Sequence, residues 1–258
     1  MVAVALTIAG SDPSGGAGIQ ADLKTFHRMG VYGASVLTLL TVQNTLRVDE
    51  IDVLTPGFVT AQLDSLLEDF SPGAAKTGAL GDAAIIEAVA RRAAGFDFPL
   101  VVDPVMISKH GTMLLPAAAI ESLRERLLPL AFLVTPNLHE AAVLAGFEVN
   151  RMADMERAAE AILRLGPRHV LVKGGRLEGE AVDFLLGRDG ATGRFAARHV
   201  DTFQTHGSGC AFSAAITALL ARGEPVERAI RQAKRFITDA IRTAPGLGGG
   251  AGPVNLLA

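Results

Sequence analysis

Short apolar runs alternate along the chain with longer segments whose apolar positions recur every three or four residues. Residues 2–9, 34–42, 100–102, 132–135 and 170–173 are near-continuous apolar runs, the pattern of parallel strands buried on both faces. Helical spacing marks 19–29, 58–70, 82–94, 117–127, 138–145, 154–165, 211–221 and 226–244. Segments 46–54, 181–186 and 194–200 read as further strands, expected to be antiparallel to their neighbours. Strand and helix in alternation predict an α/β fold, a doubly wound, mostly parallel sheet flanked by helices. No Pro- or Ser-rich linker, internal repeat or low-complexity tract interrupts the pattern, so residues 1–258 are expected to form one domain.

The polar positions cluster where the predicted strands end: AGSDPSGGAG (9–18), QNT (43–45), KTGA (76–79), DPVM (103–106), TPN (135–137) and KGG (173–175). Any one of these is an ordinary turn or helix cap. Together they point to a single site along the carboxyl edge of the sheet, where open α/β folds bind ligands.

The chemistry of these clusters narrows the choice. A Walker-type phosphate loop, GxxxxGK followed by Ser or Thr, does not occur. Gly16, Gly18 and Ala21 approximate a dinucleotide fingerprint, but they stand six residues beyond the first strand. No carboxylate lies at 36–41, where a ribose-binding acid belongs. An NAD(P)-dependent oxidoreductase is therefore the weaker reading.

Asp22 falls on the inward stripe of its helix with Ile19, Leu23 and Phe26. A carboxylate there needs a partner, either a backbone N–H or lysine inside the protein, or a polar ligand group. Gln43 ends an apolar strand with an amide that both donates and accepts, suited to a heterocycle edge such as an aminopyrimidine.

The run QTHGSGCAFSAAI (204–216) carries the strongest local signal. Gly207, Ser208 and Gly209 open an apolar helix, leaving backbone N–H groups and the helix dipole to face an anion. Cys210 sits in that first turn, where a thiol pKa is expected to be lowered; the alternative is a small packing residue. A thiol hydrolase would need a partner such as His206, but the glycines before Cys210 fit anion transfer better. Asp103 and Glu140 follow strand ends and could hold Mg²⁺, directly or through water. For Glu140 the alternative is a first-turn acid favoured by the helix dipole. Lys173 is placed to neutralise a nucleotide phosphate, or to sit exposed at a strand end.

Composition adds exclusions. Apolar residues make up 49% of the chain and charged ones 20%, enough to build a large core. The single cysteine rules out an internal disulfide framework and a multi-cysteine metal site. Six histidines are scattered without HxH or HxxxH spacing. A net charge of −3 argues against nucleic acid as a partner. The first cation is Lys24, so the apolar start lacks the basic region of a secretory signal. Only 211–221 is strongly apolar in the longest uncharged stretch, too short to span a bilayer. A soluble, cytoplasmic protein with no membrane partner is expected. The sequence does not set the oligomeric state and leaves a homodimer open.

AGSDPSGGAGIQADLKT (9–25), VQNT (42–45), DPVM (103–106), TPNLHEA (135–141), VLVKGG (170–175) and THGSGC (205–210) resemble the hydroxymethylpyrimidine/phosphomethylpyrimidine kinases of thiamine biosynthesis, members of the ribokinase-like superfamily. The likeness covers nearly the whole chain, and its first and last motifs are specific. It implies a three-layer sandwich around a mostly parallel sheet, and an ATP- and Mg²⁺-dependent kinase. Such an enzyme phosphorylates 4-amino-5-hydroxymethyl-2-methylpyrimidine and then its monophosphate. It further implies that Gly10, Asp22 and Gln43 contact the pyrimidine, and that Lys173 and Thr205 contact the nucleotide phosphates. Gly207, Ser208 and Gly209 would form the anion hole, Cys210 the base, and Asp103 and Glu140 the magnesium-side acids. Pyridoxal kinase activity is the alternative within the same fold. Two departures stand out: His110 where relatives carry serine, and glycines at 246–253 where many members carry histidines.

Overall fold

The computed structural model describes all residues except Met1, His110, Arg176 and Glu178. Among the described residues one nine-stranded sheet runs in the order β3-β2-β1-β4-β5-β6-β7-β8-β9. Its strands are β1 (Val4–Ser11), β2 (Tyr32–Gln43), β3 (Val48–Val53), β4 (Ala74–Thr77), β5 (Leu100–Val102), β6 (Leu133–Val134), β7 (His169–Gly174), β8 (Ala181–Gly187) and β9 (Thr192–Ala197). The six strands from β2 to β7 in that order pair in parallel. Strand β3 on one edge and β8 and β9 on the other pair antiparallel, as the sequence predicts.

Period-two alternation along the strands sorts side chains between two cores. Leu100, Val102, Val170 and Val172 face one core with α2 (Pro56–Asp69), α3 (Ala83–Ala93), α4 (Ala117–Ser122), α5 (Leu138–Ala145) and α6 (Met152–Leu163). Val101 and Leu171 face the other, with α1 (Gly18–Arg28), α7 (Ser208–Ala221) and α8 (Val226–Arg242). The result is a three-layer sandwich with helices on both faces of the sheet, as the resemblance implies. Helix α7 is buried continuously from Ala211 to Leu220, which explains why its sequence is apolar all round.

Two expectations need correction. Strand β4, in the interior of the sheet between β1 and β5, is absent from the predicted set. It has only four residues, and its buried Lys76 breaks the apolar run. The helix expected at 117–127 ends at Ser122 and continues as a π turn (Leu123–Leu127) and a 3₁₀ turn (Leu128–Leu130). Pro129 has no N–H to continue the regular ladder. No helix among the described residues is long and apolar enough to cross a membrane.

Candidate active site

Strands β1 and β4 are neighbours at the point where the chain order of the sheet reverses, and the site is built there. The inward stripe of α1 places Asp22 in full burial beneath the carboxyl ends of both strands. Its two oxygens are taken by Lys76 Nζ of β4 at 2.8 Å and by Thr7 Oγ1 of β1 at 2.6 Å. Of the alternatives open to Asp22, a lysine partner is therefore present. Burial raises the Asp22 carboxyl above its ordinary value, against the pull of Lys76. Burial disfavours the Lys76 charge, but Asp22, Cys210 and Asp103 outweigh it and hold the ammonium protonated.

Helix α7 enters the same place from the other side. Gly207 precedes it with φ +72°, and a Cβ there would run into the Gly16 backbone, so the position demands glycine. The Ser208 N–H is donated to Thr205 O at 3.2 Å. The N–H groups of Gly209 and Cys210 have no acceptor among the described residues and stand at the cavity wall. Cys210 is only partly buried, yet its thiol does not follow the sequence expectation. Burial pushes it up to about 11, with Asp22 and Asp103 adding to the rise and Lys76 and the Gly18 N–H opposing it.

The third group lies at the ends of β5, β6 and β7. Asp103 accepts from Lys173 Nζ at 2.8 Å, Thr135 Oγ1 at 3.2 Å and Ser213 Oγ at 3.1 Å. Glu140 forms a capping box with Asn137 at the start of α5. That cap is the structural alternative considered for it, but the carboxylate also faces Lys173 and Asp103. Burial pushes Glu140 up to about 7; Asp103 adds to this, while Lys173 and the N–H groups of Asn137 and Met106 oppose it. Among the described residues no three His, Cys, Asp or Glu side chains form a ready metal cage. Two carboxylates beside an anion site fit a Mg²⁺ ion that keeps waters and phosphate oxygens among its ligands.

One cavity of about 210 Å³ is lined by every site residue named from the sequence. Gly10, Asp22 and Gln43 contribute from β1, α1 and β2; Asp103, Glu140 and Lys173 come from the far side. Thr205 and Gly207–Cys210 lie between them. A second cavity, of about 770 Å³, opens beside it between α5, the end of β7 and α8. Lys109, Asn137, Lys173, Thr205, Ser208 and Gly209 border both.

Several functional neighbours escaped the sequence reading. Lys76 stood inside the noted KTGA cluster but was not singled out. His206, weighed from the sequence only as a thiol partner, meets Asp12 across 194 positions, Nε2 to Oδ2 at 2.7 Å. Lys109 reaches Thr205 Oγ1 at 2.5 Å from a loop with no motif. The glycine tail comes to the rim of the site rather than into the cavity: Gly250 N–H is donated to Thr45 Oγ1 at 3.3 Å, and Gly252 O accepts the His206 N–H at 3.1 Å. The departure at His110 lies outside the described residues.

An α/β/α sandwich whose central helix aims open N–H groups between two cavities is the framework of a small-molecule phosphotransferase. The family model described as phosphomethylpyrimidine kinase matches residues 12–255, and the chain belongs to that family. A hydroxymethylpyrimidine/phosphomethylpyrimidine kinase of Streptomyces coelicolor is 49% identical over 251 residues, 97% of this chain and 93% of the relative. A solved phosphomethylpyrimidine kinase of Clostridium difficile 630 superposes with a TM-score of 0.82 at 43% identity, covering 93% of this chain and 99% of that one. The ADP complex of a Bacillus subtilis pyridoxal kinase superposes with a TM-score of 0.91 at 41% identity, covering 98% and 97%. The family match sets the oxidoreductase reading aside.

Proposed function

We propose that this chain transfers the terminal phosphoryl group of ATP to the hydroxymethyl group of 4-amino-5-hydroxymethyl-2-methylpyrimidine, and then a second one to the monophosphate, as a cytoplasmic step of thiamine biosynthesis. The observation that carries this reading is the shared wall of the two cavities. Ser208, Gly209 and Lys173 border both, so a nucleotide in the larger cavity and a pyrimidine in the smaller one meet at the same amides.

Phosphoryl transfer asks the protein mainly to align reactants and neutralise charge. The open N–H groups of Gly209 and Cys210, with the α7 dipole behind them, receive the transferring group's oxygens. Lys173 adds a fixed cation, itself held by Asp103. Cys210 orients the hydroxymethyl oxygen and takes its proton when the thiolate forms. Lys76 is the largest influence favouring that thiolate. Gln43 reads the heterocycle edge, and Gly10 allows its approach to the β1 end. Asp103 and Glu140 would hold Mg²⁺, which supplies charge neutralisation on the nucleotide phosphates when bound.

Likeness to a pyridoxal kinase makes pyridoxal the second substrate to examine. ADP release is measured with the pyrimidine, its monophosphate and pyridoxal in parallel. Turnover of the two pyrimidines is expected to exceed that of pyridoxal. Turnover of pyridoxal alone would replace the substrate assignment, and no ADP release with any of the three would overturn the reading.

A further inference from the structure

His206 ties together segments that the transfer reaction uses for different purposes. Its Nε2 lies 2.7 Å from Asp12 Oδ2 and 3.3 Å from the amide nitrogen, Nε2, of Gln43. Its backbone N–H is donated to Gly252 O, and its carbonyl accepts the Val254 N–H at 3.3 Å. The next residue is Gly207, the left-handed glycine that precedes α7. The His206 and Asp12 side chains are 3% and 4% exposed, so neither is free to wander.

The hydrogen-bond inventory of Asp12 sets the polarity of this chain of contacts. Its carboxylate accepts the Ser14 N–H, the Ala17 N–H and the Ser14 hydroxyl, each at 2.9 Å. A carboxylate engaged by that set is an acceptor toward His206 as well, so the hydrogen between them sits on Nε2. With Nε2 as a donor, the Gln43 NH₂ would set two donors against each other, so the amide is better satisfied turned over, with its oxygen toward His206. The two ends of an amide are nearly alike in shape, and their partners decide between them. With the carbonyl turned to His206, the Gln43 NH₂ is left to face a ligand.

We infer that His206 is a positioning residue: anchored by Asp12, it fixes the Gln43 amide so that its NH₂ group donates to a ring-nitrogen acceptor of the heterocycle. The inference rests on the reading of Gln43 as the pyrimidine contact and adds which edge of the amide is offered and what enforces it. A ligand with a ring nitrogen at that point is accepted. An isostere with C–H there leaves the NH₂ unpaired and is rejected.

The test is a double-mutant cycle read in KM for the pyrimidine and for ATP. His206→Phe removes the donor while keeping a ring of similar size. It is expected to raise the pyrimidine KM on the order of 10-fold and the ATP KM less than about 3-fold. His206→Gln, which returns an N–H near the Nε2 position, is expected to recover most of that loss. In a Gln43→Ala background, His206→Phe is expected to add nothing, because the residue it positions is gone. Losses that multiply in the double variant, or equal rises in both KM values, would overturn the inference alone. A Gln43→Ala enzyme with an unchanged pyrimidine KM would overturn the Gln43 reading and this inference with it. If the phenylalanine variant does not fold, His206→Asn carries the same test. It is too short to reach Asp12 and Gln43 together, and a KM pattern like that of the unsubstituted protein would again contradict the inference.

Discussion

Residues 12–18 and 205–210 both run from a loop of small residues into a helix at the carboxyl edge of the sheet. In the first loop Asp12 folds its carboxylate back onto the Ser14 and Ala17 N–H groups, so the loop carries its own anion. In the second, no carboxylate follows the glycines, and the N–H groups of Gly209 and Cys210 remain open to the cavity. The first loop is a structural clasp, pinned to the second through His206. The second is the proposed binding site. Glycine content alone does not distinguish a phosphate cradle from a clasp; the presence of an internal acid does.

Substitutions can break or sharpen that contrast. The largest effect is expected from Gly207→Ala, which puts a Cβ on a residue at φ +72° and against the Gly16 backbone. It would shift the open amides and cost on the order of 10² in kcat/KM or more, measured with saturating ATP and varied pyrimidine.

Asp12→Asn empties the clasp of its charge and is expected to cost about 2–4 kcal/mol in urea unfolding at pH 7. Burial by itself would raise this carboxyl, but hydrogen bonds from His206 and Ser14 outweigh it and hold it below its ordinary 3.8. Its contribution is therefore present above that pH and lost as pH falls through the lower folded value. The gap between the two proteins should close in acid and stay constant at neutral pH.

Glu140→Gln is the smaller, opposite case. The unfolded chain ionises Glu140 near 4.5 while the folded one holds the proton up to about 7, so stability falls as pH rises between those values. Glutamine keeps the capping bond to Asn137 and removes the charge. The variant should unfold at higher urea at pH 7, by about 1–3 kcal/mol, while losing activity at limiting Mg²⁺. A variant less stable than the parent at that pH would contradict the stated balance of burial and charge.

The same contrast explains what was legible from residues alone. The periodic elements, the carboxyl-edge site and the open loop before Cys210 are local patterns, and they are read from neighbouring residues. Asp22 was half legible: its helical stripe placed it inward, but Lys76 lay in a strand too short to show a period. The Asp12–His206 contact joins residues 194 positions apart and has no local signature. The Cys210 thiol was misjudged because the dipole of α7 is a local property of the sequence, whereas burial and the Asp22 and Asp103 charges belong to the assembled fold.

The most direct measurement converts the open loop into a filled one. Gly209 has an ordinary backbone conformation, and a Cβ there would stand 3.5 Å from Lys173 Nζ, so the position tolerates a side chain. Gly209→Asp and Gly209→Asn differ by one charge at nearly equal volume. If the amides of α7 and Lys173 hold the transferring phosphoryl group, the aspartate variant should fall at least about 10-fold below the asparagine variant in kcat/KM for ATP, with an equal or higher unfolding midpoint. Equal kcat/KM in the two variants would contradict the anion site on which the account rests.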